Sequence, residues 1–169
     1  QWPSSAASDV YKRQLVKLSA NKGVFFFERN QFDLSEKINV NLIKDKEKID
    51  LFAEKVFVDI DKEYLSSKNL NLKHNDLTFS GKEVSLSDEL ISVSGNPISF
   101  ARRNIFKGLS DEIKIDLKRK LLYLSGTSSI FIDGKDISGE DIVFDYENNS
   151  ILNSENLRIK SENSWTSKY

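Results

Sequence analysis

Strict alternation of apolar and polar residues runs through most of this chain. It is clearest in KIDLFAEKVFVDI, KEVSLS, EIKIDL, SIFI, EDIVFDY and NLRIK. A period of two matches a β-strand with one dry face and one solvated face. The best helical candidate, DLSEKINVNLIKDKEKIDLF, alternates at Ile38, Val40 and Leu42 and therefore fits a strand better. Turn-forming residues lie where strands should end, in KDKE, DKEY, KHND, SDE, LKRK, DGK and ENNS.

The alternating stretches also repeat at a regular distance of 28 or 29 residues. One apolar column holds Val56, Val84, Ile113 and Ile142, and a second column lies two residues further on, at Val58, Leu86, Ile115 and Phe144. We expect Asn69, Gly95, Gly126 and Glu155 to close the second strand of each unit, and the two glycines to lie at sharp corners. Another short strand then follows each of them, at Leu70 and Leu72, Ile98 and Phe100, Ile130 and Ile132, and Leu157 and Ile159.

Such repeated units cannot each bury an apolar face alone, so we expect them to stack. The order predicts a long, twisted antiparallel sheet, folded over itself with the apolar face inward. Residues 24–43 read as a more degenerate earlier copy. We predict one domain over residues 15–162, a non-native or disordered leader over 1–14, and a tail over 163–169.

The amino-acid composition disfavours several kinds of partner and binding site. The chain has 169 residues, 38% of them hydrophobic, and a formal net charge of −1. A nucleic-acid partner is not expected, because phosphates would require a clear basic excess. Cysteine is absent, which excludes disulfides and thiolate chemistry. We expect no bound cofactor or metal and no membrane-spanning helix, because the sequence has no apolar run of about 18 residues.

Residues 95–152 resemble the OstA-like domain of the LptA family of lipopolysaccharide transport proteins. The family elements are, in order, a G-x-P-x-x-F strand, a G-x-x-x-x-I-x-Y/D strand, an L-x-G-x-a-x-Φ element and an I-x-G-x-x-I-x-Y/D strand. They correspond here to Gly95, Pro97 and Phe100; to Gly108, Ile113 and Asp116; to Leu124 and Gly126; and to Ile137, Gly139, Ile142 and Asp145. The match covers about a third of the chain, and residues 24–89 resemble the family more loosely.

This resemblance implies a fold and a function. The fold would be all-β, a V-shaped β-jellyroll of repeated antiparallel strands, open at both ends. The function would be that of a non-enzymatic periplasmic carrier for outer-membrane biogenesis in Gram-negative bacteria. Such a carrier holds the lipid A acyl chains of lipopolysaccharide in an apolar groove. Partners would be LptC-like and LptD-like proteins bound by edge-strand pairing, with a head-to-tail homo-oligomer also possible.

The parity of each strand selects the residues that we expect to line the groove. They are Val56, Val58, Val84, Leu86, Ile98, Phe100, Ile113, Ile115, Leu122, Leu124, Ile130, Ile132, Ile142 and Phe144. A bulge would turn part of this set to the wrong face. Alternation alone does not decide between a groove and an ordinary closed core.

Two alternatives remain open at this point. The chain could be an LptC-like periplasmic domain without its membrane anchor, carrying the same cargo. It could also be a structural β-repeat domain of a surface protein with a closed core. An enzyme is a distant third, because His74 is the only histidine and lies in a stretch that we expect to be a solvated turn.

Several charged and aromatic groups have competing interpretations. The acidic pairs Asp59/Asp61, Asp111/Glu112, Asp133/Asp136 and Glu140/Asp141 are expected at solvated turns rather than in a catalytic or calcium site. Two basic turns could meet lipid A phosphates or could be ordinary surface; they hold Arg102, Arg103 and Lys107, and Lys118, Arg119 and Lys120. Phe25, Phe26 and Phe27 break the alternation, so at least one should point outward.

Overall fold

The structure, a computed structural model, describes residues 15–44, 46–62, 64–86 and 90–161. The predicted leader and tail, residue 162 and the SDE turn therefore lie outside the described residues. The strands are β1 (Leu15–Ser19), β2 (Lys22–Phe26), β3 (Gln31–Lys44), β4 (Glu47–Asp59), β5 (Tyr64–His74), β6 (Leu77–Leu86), β7 (Ile91–Arg102), β8 (Phe106–Asp116), β9 (Leu121–Ile132), β10 (Lys135–Asp145) and β11 (Ser150–Ser161). One 3-10 helix, Phe27–Arg29, follows β2. The predicted all-β class is confirmed.

All of these strands belong to one antiparallel sheet. From β3 to β11 each strand pairs with the next strand in sequence, while β1 and β2 both pair with the same edge of β3. The short turns that the sequence predicts at KDKE, DKEY, KHND, LKRK, DGK and ENNS connect consecutive strands. Within the described residues, no helix is long and apolar enough to cross a membrane.

The alternation places the apolar side chains of neighbouring strands in continuous rows. One row crosses five strands, because Val84 pairs with Val93, Val93 with Ile113, Ile113 with Leu124, and Leu124 with Ile142. None of the five is more than 1% exposed. The repeated apolar columns of the sequence therefore form the inner face of the sheet.

The strands are longer than the sequence predicts, because they continue through the expected corners. Asn69, Gly95, Gly126 and Glu155 lie within β5, β7, β9 and β11 rather than at strand ends. A left-handed residue or a register shift produces a bend there without interrupting the strand. Left-handed residues inside the strands are Glu36, Lys37, Asn69, Gly126, Asp141 and Asn156. We call the line that they trace across the sheet the crease.

The crease divides the sheet into two half-sheets. The first half-sheet contains the strand ends where β3 meets β4, β5 meets β6, β7 meets β8 and β9 meets β10. The second contains the strand ends where β4 meets β5, β6 meets β7, β8 meets β9 and β10 meets β11. The inner face is buried although the described part of the chain has no second sheet and no packed helix. The two half-sheets therefore bury each other's apolar face, as the predicted folding of the sheet over itself requires.

Small polar residues occupy the inside of the crease. Ser110 and Ser128 are both at most 1% exposed, and their hydroxyl oxygens lie 3.0 Å apart. The Ser110 hydroxyl also donates to the carbonyl oxygen of Glu112, at 2.9 Å. Because the hydroxyls of Ser110 and Ser128 are paired locally, the sheet can bend here without leaving these two groups unsatisfied.

Candidate functional site

The predicted groove residues all lie on the inner face of the folded sheet. Thirteen of them are at most 8% exposed, and Val58 is partly buried and packs against the same cluster. Their common orientation follows from the alternation within each strand segment on either side of the crease. Their role as lipid-binding residues remains a prediction.

The inner face also includes residues that the predicted set does not contain. They are Ile38, Val40, Leu42, Ile49, Leu51, Leu65, Leu70, Leu72, Leu77, Phe79, Ile91, Val93, Phe106, Leu117, Ile137 and Tyr146. Most of them follow the same alternation and could have been chosen by it. Phe106 and Tyr146 adjoin turns, where the alternation of apolar and polar residues does not predict which way a side chain points.

The two half-sheets are in direct contact inside the fold. Phe106 lies on β8 in the first half-sheet, and Phe144 lies on β10 in the second. Their ring centroids are 4.9 Å apart, and the rings meet edge to face, with 83° between their planes. These strands are not neighbours in the sheet, so the contact spans the interior. In this structure the predicted lining is closed, and an acyl chain would have to separate the half-sheets to reach it.

Polar contacts join the half-sheets along the side opposite the crease. The Lys120 ammonium, from the turn between β8 and β9, donates to the carboxylate of Glu47 at the start of β4. That hydrogen bond holds the pKa of Glu47 below its ordinary value, against the opposing effect of burial. We call this side of the molecule the seam and define it by Glu47, Arg102, Lys120 and Tyr146.

Arg102 forms the second connection across the seam. Its Nη1 donates to the carbonyl oxygen of Tyr146 at 2.7 Å, and its Nε donates to Asp76 Oδ2 at 2.7 Å. The Tyr146 amide donates to the carbonyl oxygen of Lys120 at 3.1 Å, which links the two connections. The structure thus brings one residue from each predicted basic turn to the seam, while Arg103, Lys107, Lys118 and Arg119 are exposed.

His74 is buried at the seam, so its interpretation as a solvated turn residue is wrong. It ends β5 and continues the inward parity of Leu70 and Leu72, which leaves it only 2% exposed. Its Nδ1 lies 3.1 Å from the carbonyl oxygen of Lys48, and its Nε2 lies 3.8 Å from Glu47 Oε2. These neighbours give the ring a structural role at the seam.

Tyr146 lies beside these groups and is only 5% exposed. Its hydroxyl has no hydrogen-bond partner among the described residues. Burial, followed by the negative charge of Glu47, raises the pKa of this phenol well above its ordinary value. A buried hydroxyl without a hydrogen-bond partner costs free energy, so closing the seam over the Tyr146 hydroxyl is unfavourable for this group.

Two residues of the predicted acidic pairs, Asp59 and Asp111, make hydrogen bonds within the fold. In the described part of the chain, no group of three or more acidic or histidine side chains could hold a metal ion. Asp59 is buried and bonded to Gln31 Nε2, at 2.9 Å, which is the main cause of its lowered pKa. Asp111 lies at the crease rather than at a turn, where its Oδ2 accepts from the Thr127 amide at 3.2 Å.

The phenylalanine run behaves as its broken alternation predicts. Phe27 is 80% exposed and Phe26 is partly exposed, whereas the Phe25 ring stacks on Phe32 at 4.2 Å. The run adjoins the end of the sheet that β1 and β2 form.

The sequence and the fold compare differently with known proteins. None of the protein-family models matches the sequence. No curated protein matches it either. Among solved structures, the chain is similar to a lipopolysaccharide transport protein. That structure is LptH from Pseudomonas aeruginosa, described as the LptA homologous periplasmic component of the conserved lipopolysaccharide transport device. The likeness covers 92% of this chain and 90% of that chain, with a TM-score of 0.48 and 12% identity. At this identity, residue roles do not transfer from LptH to this chain.

Proposed function

We propose that the protein is a non-enzymatic periplasmic carrier of lipopolysaccharide and that acyl chains bind between its half-sheets. The proposal rests on one observation above all: the apolar inner face continues across the strands on both sides of the crease. In the described part of the chain, it is covered by the other half of the same sheet. An acyl chain inserted there would exchange water for apolar side chains. Each buried CH₂ group contributes about 0.8 kcal/mol to such a transfer.

The sequence elements of residues 95–152 support the same function independently. They resemble the LptA family in their order and spacing, and the structure places Phe100, Ile113, Leu124 and Ile142 from these elements on the inner face. A carrier of this kind would work in the periplasm and exchange cargo with LptC-like and LptD-like proteins. Among the described strands, none pairs with the outer edge of β11, where Leu157 and Ile159 are exposed, so this edge offers backbone groups for strand pairing.

Site-specific photo-crosslinking tests this function. A photoreactive residue at Ile115 should form adducts with lipopolysaccharide, because Ile115 is 1% exposed on the inner face. The matched control is the adjacent Lys114, which belongs to the same strand and is exposed on the outer face. Adducts at Ile115 alone would support the carrier. Absence of adducts at Ile115, or equal labelling of both positions, would refute it.

A structural β-repeat domain is the second candidate. The contact between Phe106 and Phe144 favours it, because a core that is already filled needs no ligand. Lipid extraction and mass spectrometry of the protein purified from a Gram-negative periplasm would separate the candidates. A structural domain should yield no bound lipid, whereas a carrier should yield lipopolysaccharide.

A further inference from the structure

The two long sides of the folded sheet differ in what holds them together. At the crease, the strands run continuously from one half-sheet to the other, so opening that side would require breaking the chain or its backbone ladder. At the seam, among the described residues, no strand end of one half-sheet forms a backbone ladder with a strand end of the other half-sheet. Opening the seam therefore leaves every backbone ladder intact.

Among the residues that the structure describes, few polar contacts across the seam would be lost on opening. They are the Glu47–Lys120 ion pair and the bond from Arg102 to the Tyr146 carbonyl oxygen. The charged side chains of Glu47, Lys120 and Arg102 are partly exposed, so water can solvate them once the two sides separate. Opening also gives the unpaired Tyr146 hydroxyl access to water or to a polar group of a ligand. These features oppose the cohesion of the apolar faces and favour a side that opens reversibly.

We infer that the seam is the route by which acyl chains reach the interior, and that Glu47–Lys120 and Arg102–Tyr146 are clasps that hold it shut. The inference rests on the proposed carrier function and specifies how its site is loaded. The acyl chain enters through this long side of the folded sheet, with its whole length passing the seam at once. When an acyl chain is bound, the rings of Phe106 and Phe144 contact the acyl chain instead of each other.

Charge reversal tests the clasp without any lipid. Glu47→Lys places two cations together at the seam, and the double variant Glu47→Lys/Lys120→Glu restores an opposite-charge pair. Backbone amide exchange at the strand ends beside the seam should become roughly fivefold faster in the single variant and return in the double variant. Amides beside the crease, such as that of Leu124, serve as the internal reference. An unchanged rate in the single variant would overturn the clasp.

Cross-linking tests the loading route, and the absence of natural cysteine gives a clean background. Glu47→Cys and Lys120→Cys, joined by a bis-maleimide, should prevent uptake of lipopolysaccharide. In the matched control, Lys73→Cys and Thr78→Cys are joined in the same way. These positions pair on the outer face of β5 and β6 within one half-sheet, so uptake should persist.

The outcomes separate the loading route from the carrier function. Equal uptake by both cross-linked proteins would overturn the seam as the route and leave the carrier function standing. If the unmodified protein takes up no lipopolysaccharide, the carrier function fails and the route fails with it. Block of uptake by the seam cross-link alone, together with faster uptake by Glu47→Lys, supports both.

Discussion

Replacing Gly126 by alanine tests whether the crease is as tightly built as the structure indicates. Gly126 has φ +75°, a conformation that costs an L-residue about 1–2 kcal/mol. An added Cβ would also lie 2.5 Å from Asp111 Oδ2, so the Asp111 carboxylate must move away. That movement breaks its bond with the Thr127 amide, a loss of about 0.5–1.5 kcal/mol. We expect Gly126→Ala to lower the free energy of unfolding by about 2–3 kcal/mol.

Gly134→Ala is the matched control. Gly134 has φ +70°, and an added Cβ would meet no atom within 4 Å, so only the backbone cost of about 1–2 kcal/mol applies. Urea denaturation of both variants measures the difference, which should be about 1 kcal/mol. Equal losses would refute the crowding at the crease. A second check is Asp111→Ala, in whose background the excess cost of Gly126→Ala should largely disappear.

Two further predictions concern the interior and the seam. Phe144→Ala should lower the free energy of unfolding by about 3–5 kcal/mol, because the ring is 1% exposed. Val143→Ala, on the other face of the same strand, should lower it by under about 1 kcal/mol. Equal losses for the two variants in urea denaturation would contradict the assignment of faces. Lys120→Gln should raise the pKa of Glu47 toward its ordinary 4.5, as followed by carboxyl NMR titration, and an unchanged pKa would argue against the ion pair. Because the folded-state pKa of Glu47 is lowered, its contribution to stability is fully present above pH 4.5 and is lost as the pH falls through the lowered value.

The strand pattern could be read from the sequence because its cause is local. An apolar residue at every second position predicts both the strand and its inward face, as Ile113 and Ile115 illustrate. Turn residues such as those of ENNS likewise carry their own conformational preference. The bend at Gly126 was recognised as a corner, but its continuation as one strand was not, because a left-handed residue resembles a strand end in a sequence.

The seam could not be predicted, because it depends on contacts between distant residues. Glu47 begins β4 and Lys120 lies 73 residues further on, in the turn between β8 and β9, so no local signal connects them. The burial of His74 was missed for a related reason. Its polar neighbours suggested a turn, whereas the parity of β5 carries the ring inward to meet the carbonyl oxygen of Lys48.

The distance between the half-sheets, measured with and without lipopolysaccharide, tests most directly whether the apolar interior opens for a lipid. Nitroxide labels at Thr78→Cys and Lys114→Cys would lie on the outer faces of opposite half-sheets. An acyl chain between them adds a layer in van der Waals contact with both sides, so the label distance should increase by about 4 Å. A distance that stays constant while lipopolysaccharide is bound would contradict the account.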